Sequence, residues 1–192
     1  MAVAIIGIIT VPLGNALISY FKNTDATIGR LAQSHDAQIT AAYFAQDVES
    51  VGVRSTASPF SLLQSIETGV ASGSGLYPCG SGSVPAAVVR FASDDFPAPS
   101  GTATIVRVAY VVENTSGEKQ LHRITCRGSS SVQSDIVVAH NLVSTLGPTC
   151  SSSCTASGDA VPRSVTMLLT LSDPSKRNSD YVVTLLGQRG QS

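Results

Sequence analysis

MAVAIIGIITVPLGNALISYFKNTDATIGRLAQSHDAQITAAYFAQDVESVG, residues 1–52, is the stretch from which the fold follows. No charged side chain precedes Lys22, and Met1-Ala-Val-Ala-Ile-Ile-Gly-Ile-Ile-Thr-Val-Pro-Leu13 is almost unbroken apolar sequence. From Lys22 to Gly52 the chain stays helix-like but turns polar and amphipathic. The expectation is one continuous helix in two solvents, lipid at one end and water and protein at the other. Three parts follow: a membrane-compatible helix half (1–21), the amphipathic second half of the same helix (22–52), and a globular antiparallel sheet domain with Gly/Ser/Pro-rich loops (53–192).

A bilayer span needs about 20 apolar residues. Residues 1–21 supply that length, although Thr10, Pro12, Asn15 and Ser19 dilute it. A cleavable signal peptide would show a basic start and a small-residue cleavage site, and neither is written here. A buried core helix fits poorly with so apolar an N-terminus. The anchor reading therefore leads, with Ile5, Ile6, Ile8, Ile9, Leu13 and Leu17 as its membrane or assembly face. Pro12 removes one helical hydrogen bond and crowds the turn before it, so a bend is expected there.

Two apolar stripes run along the second half. Ile28, Leu31, Ala32, Ile39, Ala42 and Tyr43 form one at helical spacing; Ala37, Ala41, Phe44, Val48 and Val51 form the other. A helix apolar on two sides packs on two partners. One stripe can lie on the protein's own sheet, while the other is free for neighbouring copies or other subunits. His35 falls between Leu31 and Ile39 and reads as a partly buried structural histidine. Gly52 is expected to end the helix.

Beyond it, 53–84 is rich in Ser, Gly and Pro, with a short helix or turn at 60–66. Strands are expected over 86–92, 102–113, 119–126, 135–140, 163–172 and 181–187, and a loop over 147–162. Short connections between 102 and 126, with a turn at 114–118, and between 163 and 187, with a turn at 173–176, make antiparallel hairpins. The fold class is α+β, a long N-terminal helix packed on one antiparallel sheet.

Charged residues are 13% of the chain and net charge is −1, so the polar surface is mainly Ser, Thr, Gly, Asn and Gln. Nothing in that balance calls for nucleic acid, and the basic residues do not cluster with aromatics. Four cysteines, Cys79, Cys126, Cys150 and Cys154, allow three pairings. Outside the cytoplasm they would be disulfides. Cys150–Cys154 around the Ser-Ser-Ser loop, with Cys79–Cys126, is favoured. Four free thiols, or a zinc site using cysteines with His122 or His140, are the weaker readings, because structural zinc uses paired ligands at short spacing.

Catalytic chemistry finds no footing. His35, His122 and His140 are isolated from one another, and no H-E-x-x-H, G-x-S-x-G or P-loop is present. Ser116-Gly-Glu-Lys119 matches S-x-x-K only by letter, in an expected turn. Asp94-Asp95 could hold a cation but reads as solvated, and Asn114-Thr-Ser is a formal glycosylation sequon. No catalytic, cofactor or metal residue is assigned, and neither a small-molecule substrate nor an enzyme activity is expected.

The layout resembles the type IV pilin superfamily. Ala2-Val-Ala-Ile-Ile-Gly-Ile-Ile-Thr10 is similar to the second half of the prepilin methylation segment, and Ala41-Ala-Tyr-Phe-Ala-Gln-Asp-Val-Glu-Ser-Val-Gly52 resembles the end of the spine helix in J-type minor pseudopilins and related minor pilins. The order of Pro162-Arg-Ser-Val-Thr-Met-Leu-Leu-Thr-Leu171, turn, Tyr181-Val-Val-Thr-Leu-Leu-Gly187 agrees. The family's basic leader followed by Gly and Phe-Thr-Leu-x-Glu does not stand in this sequence. The expectation is a start assigned too late or a truncated chain, with no processing at Met1.

The resemblance implies a structural minor subunit of a type IV pilus or type II secretion pseudopilus. Such a subunit is held in the bacterial cytoplasmic membrane by one helix, with its globular domain outside, and is then packed helix-to-helix into a filament. Its partners are membrane lipid first and other pilin or pseudopilin subunits later. The alternative is a membrane-anchored extracytoplasmic binding or adhesion domain that never assembles.

Overall fold

The computed structural model describes residues 2–82, 84–95, 103–174 and 178–190; the side chains of 2–11 lie outside the description. Helix α1 runs from Ala2 to Glu49 with Pro12 inside it. At 1.5 Å per residue it is about 70 Å long. Its second half is rich in alanine, the best helix former, which suits a rod with one packed side.

Among the described residues ten strands follow: β1 (Val53–Arg54), β2 (Leu62–Leu63), β3 (Ile66–Val70), β4 (Ala87–Asp95), β5 (Thr104–Thr115), β6 (Glu118–Arg127), β7 (Val132–Ala139), β8 (Leu142–Cys150), β9 (Ser164–Leu171) and β10 (Tyr181–Gln188). They form a five-stranded sheet in the order β3-β4-β5-β6-β7, a three-stranded sheet β10-β9-β8 and a small β1-β2 ribbon. All of these pairings are antiparallel. The chain is thus α+β, a long N-terminal helix packed on antiparallel sheets.

The expected single sheet is two. Four strands were not expected, β1, β2, β3 and β8; in β8, Gly147-Pro148 read as loop. Those residues fall where the β8–β9 register slips between Leu146 and Thr149. Proline has no N–H for the ladder and is tolerated at such a bulge. Residues 60–66, expected as a helix or turn, instead lead through β2 into β3, where Ile66 pairs with Phe91. Gly52 is not the helix cap either: α1 ends at Glu49, and Gly52 bridges Ser93 in parallel, donating to Ala92 O at 3.0 Å.

One core joins the helix to both sheets. Phe44 and Val48 of α1, with Val51 just beyond its end, meet Ile66, Val89, Phe91, Tyr110 and Leu121 from the larger sheet and Val165, Met167, Leu169, Leu171 and Leu185 from the smaller. Phe44, Phe91 and Tyr110 pack edge to face, with ring centroids 5.6–6.3 Å apart, the geometry the ring quadrupoles prefer. The helix packs directly against β10 at Gly187. A Cβ there would sit 2.4 Å from Val48 Cβ, so β10 accepts the helix only because that position has no side chain.

The cysteines pair as Cys79–Cys126 and Cys150–Cys154, the connectivity favoured from the sequence. The first joins the loop before β4 to the end of β6; the second closes the Ser-Ser-Ser loop after β8.

Candidate assembly interface

The two helix stripes have different fates. Ala37, Phe44, Val48 and Val51 are buried in the core. Ile28 and Leu31, on the other stripe, are 59% and 65% exposed, and Ala32 and Ala42 are exposed with them. Ile39 and Tyr43 only touch the core's rim. His35 is exposed as well, which corrects the expectation of a partly buried histidine. The stripe it shares with Leu31 faces away from the sheet.

N-terminal to Ala26, whose carbonyl accepts from Asn178, the apolar side chains of the described helix are exposed. Leu13 and Leu17 are 61% and 50% exposed, and Ile18, Tyr20 and Phe21 are exposed beside them. Ile5, Ile6, Ile8 and Ile9 continue the helix, but their side chains lie outside the described residues. Among the described residues no helix is long and apolar enough to cross a membrane. The expected span over 1–21 falls half on side chains outside the description. Polar groups in the protruding half turn inward onto the rod: Thr24 Oγ1 donates to Tyr20 O at 3.0 Å and Thr27 Oγ1 to Asn23 O at 2.9 Å. The hydroxyls thereby satisfy themselves within the helix, as serine and threonine can by bonding back one turn.

Polar residues also fix the docked half, and periodicity of apolar residues does not reveal them. Arg30 Nε donates to Asn178 Oδ1 at 2.9 Å, and Asn178 Nδ2 to Ala26 O at 2.9 Å. Gln33 Nε2 donates to Leu171 O at 3.2 Å, and Thr40 Oγ1 is 2.7 Å from Val138 O. Asp36 accepts from the His140 backbone N–H at 2.8 Å and lies 3.1 Å from His140 Nδ1.

Asp47 anchors the far end. It is buried and takes a forked pair from Arg123, at 2.8 Å from Nε and 2.6 Å from Nη2, with Tyr110 OH donating at 2.7 Å. The ring of Tyr43 lies 4.9 Å from the Arg123 guanidinium, within cation–π range. The hydrogen bond to Asp47 raises the Arg123 pKa, and burial, with Asp47 beside it, pushes the Tyr110 hydroxyl far above its ordinary value. Charge pairing here does the work of orientation: planar guanidinium on carboxylate sets the helix's rotation and register against β5 and β6.

The remaining chemical candidates resolve as structural groups. Asp94 accepts from the Arg54 backbone N–H at 2.6 Å and Asp95 pairs with Arg127, so the acidic pair is occupied rather than free for a cation. Ser116 and Gly117 form the two-residue β5–β6 turn with positive φ of 56° and 86°. Asn114 closes the same hairpin opposite Lys119. His140 lies beside Asp36, and His122 beside Asp135 at 2.8 Å.

The described surface thus offers an unpartnered apolar rod on a domain that grips only its second half. No protein-family model matches the chain, and no curated protein matches it significantly.

Proposed function

We propose that the chain is a structural minor subunit of a type IV pilus or type II secretion pseudopilus, anchored and assembled through α1. One observation carries this reading: the helix is docked from Ala26 onward and presents Leu13, Leu17, Ile18, Tyr20 and Phe21 to solvent before it. Large apolar side chains in a continuous exposed row mark a surface that is covered in use. A rod of this kind is satisfied by lipid and, equally, by a bundle of like rods. The globular domain then faces outward, and the outward stripe of Ile28 and Leu31 extends the contact toward it. Bacterial cytoplasmic membrane, then filament, is the corresponding location. Neither reaction nor cofactor is required of such a subunit.

Leu17→Asp tests the reading, because Leu17 is exposed and its replacement leaves the core intact. The variant should keep its thermal unfolding midpoint and fall out of filaments sheared from cells carrying the companion genes. Wild-type incorporation of Leu17→Asp would overturn the proposal. If membrane association alone were lost, in cells where the wild-type chain never enters a filament, the anchored adhesion domain would take its place.

A further inference from the structure

Glu113, His122 and Asp135 stand on three neighbouring strands, β5, β6 and β7. Glu113 pairs with Gln120 and Asp135 with Ile124. Each of those partners is two residues from His122, so all three side chains leave the same face of the sheet. That face is the opposite of the one sending Leu121 and Arg123 toward α1. One ring nitrogen of His122 and one carboxylate oxygen from each acid lie within 4.8 Å of one another.

Two groups in this cluster lack a structural use. Glu113 has no ion-pair or hydrogen-bond partner among the described residues. His122 Nδ1 is held 2.8 Å from Asp135 Oδ1, while its Nε2 is out of solvent contact with no partner. A purely structural pair would leave neither a half-buried carboxylate uncompensated nor a ring nitrogen unspent.

We propose that Glu113, His122 and Asp135 form a site for a divalent transition-type cation of the Zn2+ class. Two carboxylates with one imidazole offer a −2 donor set to a +2 ion. The imidazole selects against Mg2+ and Ca2+, which take oxygen ligands, and toward zinc, copper or nickel. Three protein ligands leave a further position open, for water or for a group on another subunit. The site lies away from α1, so it stands or falls separately from the assembly reading.

Isothermal titration of the metal-stripped full chain in detergent with Zn2+ tests this. One ion per chain is expected, with His122→Ala and Glu113→Gln each weakening binding by roughly tenfold or more. His140→Ala should leave it unchanged. With Cu2+ as probe, the nitrogen hyperfine coupling in the electron paramagnetic resonance spectrum should vanish in His122→Ala and persist in His140→Ala. Glu113→Gln is nearly isosteric, so it reports on binding even if His122→Ala unfolds. Absence of Zn2+ binding, binding unaltered in Glu113→Gln, or copper coupling that follows His140 or His35 would overturn the site.

Discussion

Replacing Arg90 with alanine should lower the unfolding free energy by about 3–5 kcal/mol, the range for breaking a buried ion pair from one side. Arg90 is 1% exposed. Its Nη1 bonds Glu67 Oε2 and Ser74 O, each at 2.9 Å, and its Nη2 bonds Ala71 O at 3.1 Å and Ser72 O at 3.2 Å. Glu67 in turn accepts from the backbone N–H groups of Leu76 and Tyr77 at 2.7 and 3.2 Å. One side-chain pair therefore supplies the hydrogen bonds of a loop that has no ladder of its own. Its removal leaves Glu67 as a buried charge without its cation and Ser74 O without a donor, while Ala71 O and Ser72 O keep only the backbone N–H groups of Ser74 and Cys79 and the Ser74 hydroxyl. In a domain of this size the midpoint should fall by roughly 10 °C. Amide exchange over 71–77 should accelerate before that of β4 and β5. A double variant, Arg90→Met with Glu67→Gln, should lose less than the sum of the singles, by about 1–3 kcal/mol. A drop under about 1 kcal/mol for Arg90→Ala would contradict the role given to the pair.

Asp47→Ala should be comparably severe, about 3 kcal/mol or more, since it leaves the Arg123 guanidinium and the Tyr110 hydroxyl facing an emptied, buried site. Its signature differs from that of Arg90, because it frees the helix from β5 and β6 while the 71–77 loop stays clamped. The same cluster sets an alkaline limit. Burial, then the Asp47 charge, raise the Tyr110 pKa above its ordinary 10.0. The folded protein keeps a proton that the unfolded chain releases above that value. Stability from this group is therefore complete below pH 10.0 and declines as pH rises beyond it, at up to about 1.4 kcal/mol per pH unit. Tyr110→Phe should flatten that decline in denaturant titrations run from pH 9 upward. A residual slope belongs to Tyr77, whose pKa is raised by burial and by Glu67. An unchanged slope in Tyr110→Phe would contradict the assignment.

The helix and six of the ten strands could be read from residues alone because their patterns are local. An alanine-rich rod and the alternation of Val106, Val108 and Tyr110 need no tertiary context. The strand β8 was hidden because its Gly147-Pro148 signal a loop, and only the bulge against β9 shows why they are tolerated. Of the two stripes, both were visible but not their order. Which one is buried depends on Gly187 admitting Val48 and on Asp47 finding Arg123, contacts separated by more than seventy residues in sequence. Asp47 is invisible to the apolar pattern, since periodicity treats an acid as solvated unless its partner is known. The cluster of Glu113, His122 and Asp135 escaped for a related reason. Its members are spread over three strands, and no spacing along the chain announces them.

The account rests on the protruding half of α1 being covered by other helices in use. Placing a benzophenone amino acid at Phe21 and irradiating cells that carry the companion genes tests this directly. Adducts with other small, single-helix subunits are predicted, together with their loss when the same probe sits at Phe44 in the core. Irradiated product that stays monomeric, or joins only lipid, would contradict assembly through this helix.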